Sequence, residues 1–322
     1  MQRREQPAQP LAWGFARRHR FTAAVALARA ATLSTLMPTR WRQHGEKLQP
    51  SEKKPRPPPI PVDSPRRKRL LSARDLWHAA PMPPVHVYGF GPSFGLPDAS
   101  PFVVKVLTYL RLAGIDHKLL AGDARKAPKG KLPYIEDGGQ KIADSSFIVE
   151  YLRKTYKDLD AGQSVAERAL ATAVKSMMEE HFYFVLLVAR WVDDRGWQVI
   201  GPGFGETIKK AGVPGFAAPF VMSMVRKQVV QTAHRQGMAR HSIAEVEEIG
   251  IGLIDALAEL AGERPYFFGS EPRSIDASVF PFVWSILGTP IAGRLQTQLR
   301  SKANLVSYCE RIRDQYFAPG SF

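Results

Sequence analysis

Lys129 to Leu152, KGKLPYIEDGGQKIADSSFIVEYL, compresses a proline turn, a hairpin and a helix start into one short stretch. Leu132-Pro133 precedes a run of alternating character, Tyr134-Ile135-Glu136, and a cis X-Pro bond suits such a tight turn because the cis form costs proline little. Asp137-Gly138-Gly139 is a hairpin signal. Asp144-Ser145 then stand where a helix needs its first N–H groups capped, and a helix start also attracts a carboxylate. A bent proline beside an anion-binding helix mouth suits a small peptide ligand.

Upstream, Val85, Val87 and Phe90 alternate with His86, Tyr88 and Gly89, as in a half-buried strand. Gly91 to Ala99 is rich in Gly and Pro and reads as loop. Ser100-Pro101 supplies an N-cap and a proline at the first helical position. Apolar residues at 102, 103, 106, 107, 110 and 113 then mark one helical face, which Gly114 ends. Asp116 to Ala121 can form a second strand parallel to the first. The order is βαβ followed by ββα, with a right-handed crossover.

The remainder reads as helix. Ser164 to Asp193 is long, apolar and free of Gly and Pro, which predicts one major helix. Gly201 to Gly215 reads as a glycine- and proline-rich break; GPGFGETIKK has neither the Lys-Ser/Thr pair of a phosphate loop nor dinucleotide spacing. Further helices are expected over Phe216 to Met238, Ala244 to Leu260, Ser274 to Leu287 and Asn304 to Tyr316. Glu179, Glu180 and His181 read as surface or packing residues, and no metal-binding spacing appears. Trp191 and Trp197 suit either the core or the wall of an acceptor pocket, with the core preferred. Cys309, the single cysteine, excludes an intrachain disulfide framework and reads as a packing residue.

The formal net charge of the 322 residues is +15, which invites a nucleic-acid or membrane partner. Its distribution argues otherwise. Residues 1–81 hold 17 Lys/Arg against 5 Asp/Glu, while the remaining 241 hold 28 against 25. Residues 1–84 therefore read as a disordered, basic, Pro/Arg-rich extension; it matches a secretory signal poorly, contains no spanning helix, and its Arg-rich, acid-poor stretch also resembles a mitochondrial presequence. Nucleic-acid or acidic-membrane attachment would rest on Arg66 to Arg69 alone. No nucleic acid is expected for the folded part.

The quoted residues resemble the thioredoxin-like domain of the glutathione S-transferase superfamily, closest to its failed-axon-connections and metaxin-like branch. GLPDASPFVVKVLTYLRLAG, RQGMARHSIAEVEEIG, PYFFGSEPRSIDASVFPFV and NLVSYCERIRDQYF extend the likeness from about Val85 to Phe317. The resemblance implies an α/β thioredoxin-like, glutathione-binding domain over 85–157 and an all-α C-terminal domain over 164–317. It implies a protein that binds glutathione and, if active, conjugates the thiolate to a small electrophile in the cytoplasm (in mitochondria, if the extension is a presequence). A non-catalytic, metaxin-like scaffold for protein partners is the alternative. A homodimer is expected from the superfamily, and glutathione, as co-substrate, is the only cofactor implied.

By resemblance, Ser100 would donate a hydrogen bond to the glutathione sulfur, with Tyr88 as an alternative activator. The backbone of Leu132, beside Pro133, would pair with the cysteinyl unit. Asp144 would take the γ-glutamyl ammonium and Ser145 its carboxylate, and Lys131, or else Lys129, the glycyl carboxylate. The residue reading leaves Ser100 equally suited to helix capping, and Asp144-Ser145 also suit capping alone. Two departures stand out. Bacterial-looking relatives often carry cysteine where this chain has Val103, which argues against thiol-disulfide chemistry. Arg273 stands where a capping serine is expected, leaving Ser274 one residue late and Asp276 as a structural helix-start carboxylate.

Overall fold

The computed structural model describes residues 83–210 and 212–318. Apart from Pro83 and Pro84, the proposed basic extension lies outside the described residues. Strand β1 is Val85–Gly89, α1 Pro101–Ala113, β2 His117–Ala121, β3 Tyr134–Asp137, β4 Gln140–Ala143 and α2 Ser145–Thr155. The sheet order is β2-β1-β3-β4. β1 and β2 are parallel, and the other pairs antiparallel. The α/β half is thus the expected βαβ followed by ββα.

Alternation along β1 divides its side chains between two faces. Val85 and Val87 join the main core with Val103, Val106 and Ile135, whereas Tyr88 packs with Tyr134, Leu132 and Ala143 in a second cluster. α1 is buried almost all round. It packs on the helical half, where Phe102 meets Phe282 edge-on with ring centres 5.9 Å apart.

The helical half runs α3 (Val165–Ser176), a π-helical segment Met177–Phe182, α4 (Tyr183–Leu187), a second π-helical segment Val188–Val192 and α5 (Asp194–Lys210). Next come α6 (Ala218–Gln236), α7 (Ile243–Ala261), α8 (Ser274–Leu287), α9 (Arg294–Ser301) and α10 (Ala303–Tyr316). The expected helix over Ser164 to Asp193 is therefore helical throughout but twice rewound. α9 has no counterpart in the sequence reading.

The expected break over Gly201 to Gly215 is corrected in its first part, since non-helical chain begins only beyond Lys210, with Gly212 in a turn. α5 continues to Lys210 with Pro202 inside it. Glycine is used there for close approach: a Cβ on Gly201 would lie 3.3 Å from the Trp197 ring, and one on Gly205 3.0 Å from Met222 Sδ of α6. Such packing outweighs a poor helix propensity.

The displaced cap of α8 is rebuilt from the segment between the two halves. Asp276 accepts the N–H groups of Arg273 (2.7 Å) and Phe267 (2.9 Å), as a structural helix-start carboxylate should. Asp160 accepts the Ser274 N–H at 2.9 Å and its hydroxyl as well. Arg273 reaches back to the carbonyls of Leu159 and Ala161, both at 2.9 Å. Arginine at the cap position thus ties that segment to α8. No helix among the described residues is long and apolar enough to cross a membrane.

Candidate functional site

One end of the sheet gathers the residues singled out in the sequence. β3 pairs Tyr134 with Tyr88 on one side and with Ala143 on the other. One step further along this register sets Pro133 between Gly89 and Asp144, and the Leu132-Pro133 bond is cis. The start of α1 closes on Gly89, where a Cβ would lie 2.5 Å from Asp98 Oδ2 and 2.8 Å from Val103. Leu132 packs on Gly122, whose added Cβ would meet Leu132 at 2.7 Å. The mouths of α1 and α2 therefore open at the same end as Pro133.

At the α2 mouth, Asp144 has φ +80°, which non-glycine residues rarely adopt. Its carboxylate accepts the Ser146 N–H at 3.0 Å, so capping is one of its roles. Ser145 is buried and Asp144 exposed. Such backbone outliers cluster at ligand clamps and switch regions. Lys131 is half-buried; burial lowers its ammonium pKa, and Asp144 and Glu180 pull it back up. The Lys129 ammonium lies 4.1 Å from the centre of the exposed Phe147 ring.

At the α1 mouth, Ser100 is buried, and its hydroxyl makes no capping bond. Asp98, which the sequence reading missed, orders the loop instead. Its carboxylate accepts the N–H groups of Phe90 (2.7 Å), Gly91 (2.8 Å) and Ser100 (2.8 Å). Full burial raises its pKa to about 7, against the pull of those three amides.

Tyr88 is not brought to Ser100. It lies on the sheet face away from α1, stacked on Tyr134 at 4.3 Å, and its hydroxyl donates to Glu136 at 3.0 Å. Burial and the adjoining carboxylate both raise its pKa, the wrong direction for activating a thiol.

An apolar cavity of about 150 Å3 adjoins Ser100, bounded by Phe90, Phe94, Tyr183, Trp191 and Phe204. Apolar cavities of that size hold a benzene-sized guest. Trp191, expected in the core, lines this cavity, with Trp197 behind it at 5.6 Å.

Two buried charges belong to the π-helical segments. Glu179, expected at the surface or in packing, is buried and lies 2.6 Å from the equally buried Lys105 of α1. Ser146 accepts from the same lysine at 3.1 Å, which links the pair to the α2 mouth. Glu180 and His181 are exposed. Arg190, also missed, lines the cavity and donates to the Ala99 carbonyl at 3.0 Å. Its only trace in the sequence is a cation inside an apolar run. Cys309 is buried, which pushes its thiol up to about 12 and leaves it inert. Among the described residues no group of three or more His, Cys, Asp or Glu converges.

The glutathione S-transferase N-terminal domain family matches residues 101–196, and the glutathione S-transferase C-terminal domain family matches residues 250–312. An isoprene-epoxide–glutathione S-transferase from Rhodococcus sp. (strain AD45) is 36% identical over 72% of this chain and 99% of its own length. Failed axon connections from Drosophila melanogaster is 30% identical over 72% of this chain, and human metaxin-1 28% over 73%. The matched region spans only 58% and 51% of those two relatives.

Proposed function

The chain belongs to the glutathione S-transferase superfamily, in the branch of failed axon connections and the metaxins, and we propose that it binds glutathione and transfers its thiolate to a small apolar electrophile. The observation that carries the reading is the apolar cavity meeting Ser100 at the mouth of α1. A thiol bound there has a hydroxyl donor and a helix start beside it, both of which favour the thiolate. The cavity's lining is mainly apolar and suits a compact apolar partner.

Glutathione lies along the sheet end in this reading. The Leu132 backbone beside Pro133 pairs with its cysteinyl amide groups, as an added strand would. Asp144 takes the γ-glutamyl ammonium, and Ser145 with the first amides of α2 takes the α-carboxylate. Lys131 meets the glycyl carboxylate; Lys129 is engaged by Phe147. Ser100 donates to the sulfur. Because the Rhodococcus relative's name couples glutathione to isoprene epoxide, a small epoxide is the first electrophile to try.

The test is the initial rate of glutathione conjugation with several small electrophiles, for the wild type and Ser100→Ala. A hydrogen bond to a charged group contributes roughly 1.5–3 kcal/mol, so the substitution should slow conjugation about ten- to hundredfold. Equal rates would remove Ser100 from the chemistry. Glutathione binding without conjugation of any electrophile would favour a ligand-binding scaffold.

A further inference from the structure

The cavity beside Ser100 contains a cation that the fold does not neutralise. Arg190 is 8% exposed and sits on the second π-helical segment. Its Nη1 donates to the Ala99 carbonyl at 3.0 Å and its Nη2 to the Ser285 carbonyl at 3.3 Å, both uncharged. The Nε–H is buried without an acceptor. No carboxylate among the described residues pairs with it, and the one ionisable group that acts on it is the Tyr183 phenol. Burial pushes its guanidinium down to about 10, so it remains charged at neutral pH.

A buried charge is ordinarily paired, and guanidinium offers five N–H donors in a fixed fork. The carbonyls of Ala99 and Ser285 take two. Its neighbours in the cavity are mainly apolar, chiefly Phe90, Phe94, Tyr183 and Trp191, with the hydroxyl residues Ser93, Ser100 and Thr207 and no carboxylate. The bond to Ala99 anchors it one residue before Ser100. The pocket therefore combines a mainly apolar wall, a serine at a helix start and a guanidinium with three N–H groups that neither carbonyl takes.

We propose that Arg190 is a catalytic residue that receives the oxygen of the acceptor, and that the cavity selects compact apolar epoxides. The proposal rests on the reading that glutathione thiolate forms at Ser100. The thiolate sulfur bonds to one epoxide carbon as that carbon's C–O bond breaks. The electron pair stays on oxygen, and the alkoxide develops against the guanidinium. The alkoxide takes a proton from water, which balances the proton the thiol gave up, and the product is a β-hydroxy thioether. Arg190 donates hydrogen bonds throughout and stays protonated. Donors fixed where charge develops are worth most in a site that excludes water.

The experiment compares 1,2-epoxybutane with iodoethane as acceptors for the full-length chain and for Arg190→Gln and Arg190→Lys. Glutathione affinity is measured separately by calorimetry. Iodide leaves without a strong donor, whereas the alkoxide needs one. Arg190→Gln should lower kcat on the epoxide at least a hundredfold and on iodoethane less than fivefold, with glutathione affinity unchanged. Arg190→Lys should recover part of the epoxide rate. Equal losses on both acceptors would mean that Arg190 only holds Ala99 and Ser285 in place, and would overturn the proposal. If the variants do not fold, the wild type still decides. Acceleration over the uncatalysed rate should be at least tenfold greater for the epoxide than for iodoethane, and no preference overturns the assignment. A wild type that binds glutathione yet opens no epoxide overturns this proposal alone; one that binds no glutathione overturns the parent reading as well.

Discussion

Asp98 holds both ends of the β1–α1 loop with one carboxylate, taking the amides of Phe90 and Gly91 at its start and of Ser100 at its finish. The same loop brings Phe90 and Phe94 to the cavity wall. Its folded pKa, about 7, lies above the ordinary aspartate value of 3.8, so the native state keeps a proton that the unfolded chain gives up. The stability that Asp98 contributes is therefore fully present below about pH 4 and is lost as pH rises through 7. Asp276, raised to about 6, has the same sign. Denaturant unfolding between pH 4.5 and 7.5 should show the advantage of wild type over Asp98→Asn shrinking with pH, on the order of 1 kcal/mol per pH unit. A difference independent of pH would contradict this role for the loop carboxylate. The sequence pointed to Ser100 and Asp144 because caps have a local signature. Asp98 was missed because its partners, although near in sequence, converge only when the loop folds.

The helical elements most consequential for the site are the two that depart from α geometry. A π-helical segment adds a residue to a turn and rotates the residues beyond it, and such bulges are frequent at functional sites. The bond from the Asp193 N–H to the Val188 carbonyl, 3.0 Å and five residues back, belongs to the second segment. The first carries Glu179 to Lys105 and the second carries Arg190 to the cavity. Apolar periodicity found the helix but could not show where it rewinds, which is why the Glu179–Lys105 pair and Arg190 were passed over. The hairpin, α2 and the limits of α1 were legible because Gly-Gly, Asp-Ser and Ser-Pro act through local backbone chemistry. Gly196 makes the return into α5 possible: an added Cβ would lie 1.8 Å from the Ala189 carbonyl oxygen. Gly196→Ala should lower unfolding free energy by about 3 kcal/mol, the upper range for overpacking. The control is Gly252→Ala in α7, an exposed position where an added Cβ meets nothing within 4 Å. It should be neutral or stabilising by up to about 1 kcal/mol. Equal effects from both would refute the packing role of Gly196.

At the scale of the whole molecule, the loop after β1 and the start of α1 supply one wall of the cavity and the helical half the other. Phe102 of α1 packs on the helical half, 5.0 Å from Tyr183 and 5.9 Å from Phe282. The two-part architecture was legible from the order of strand and helix signals. The cavity was not, because aromatic residues at helical spacing look alike whether they face a core or a void. Trp191 is the instance: it packs against the core and lines the cavity as well. The central claim is that Pro133, Asp144 and Ser145 form one binding surface at the sheet end for a tripeptide thiol. Calorimetric titration of glutathione into the full-length chain, repeated with Ser145→Ala, tests it most directly. The wild type should bind saturably and one-to-one, and the loss of one buried hydroxyl should weaken that binding at least tenfold. No saturable binding by the wild type, or equal affinity in the variant, would contradict it.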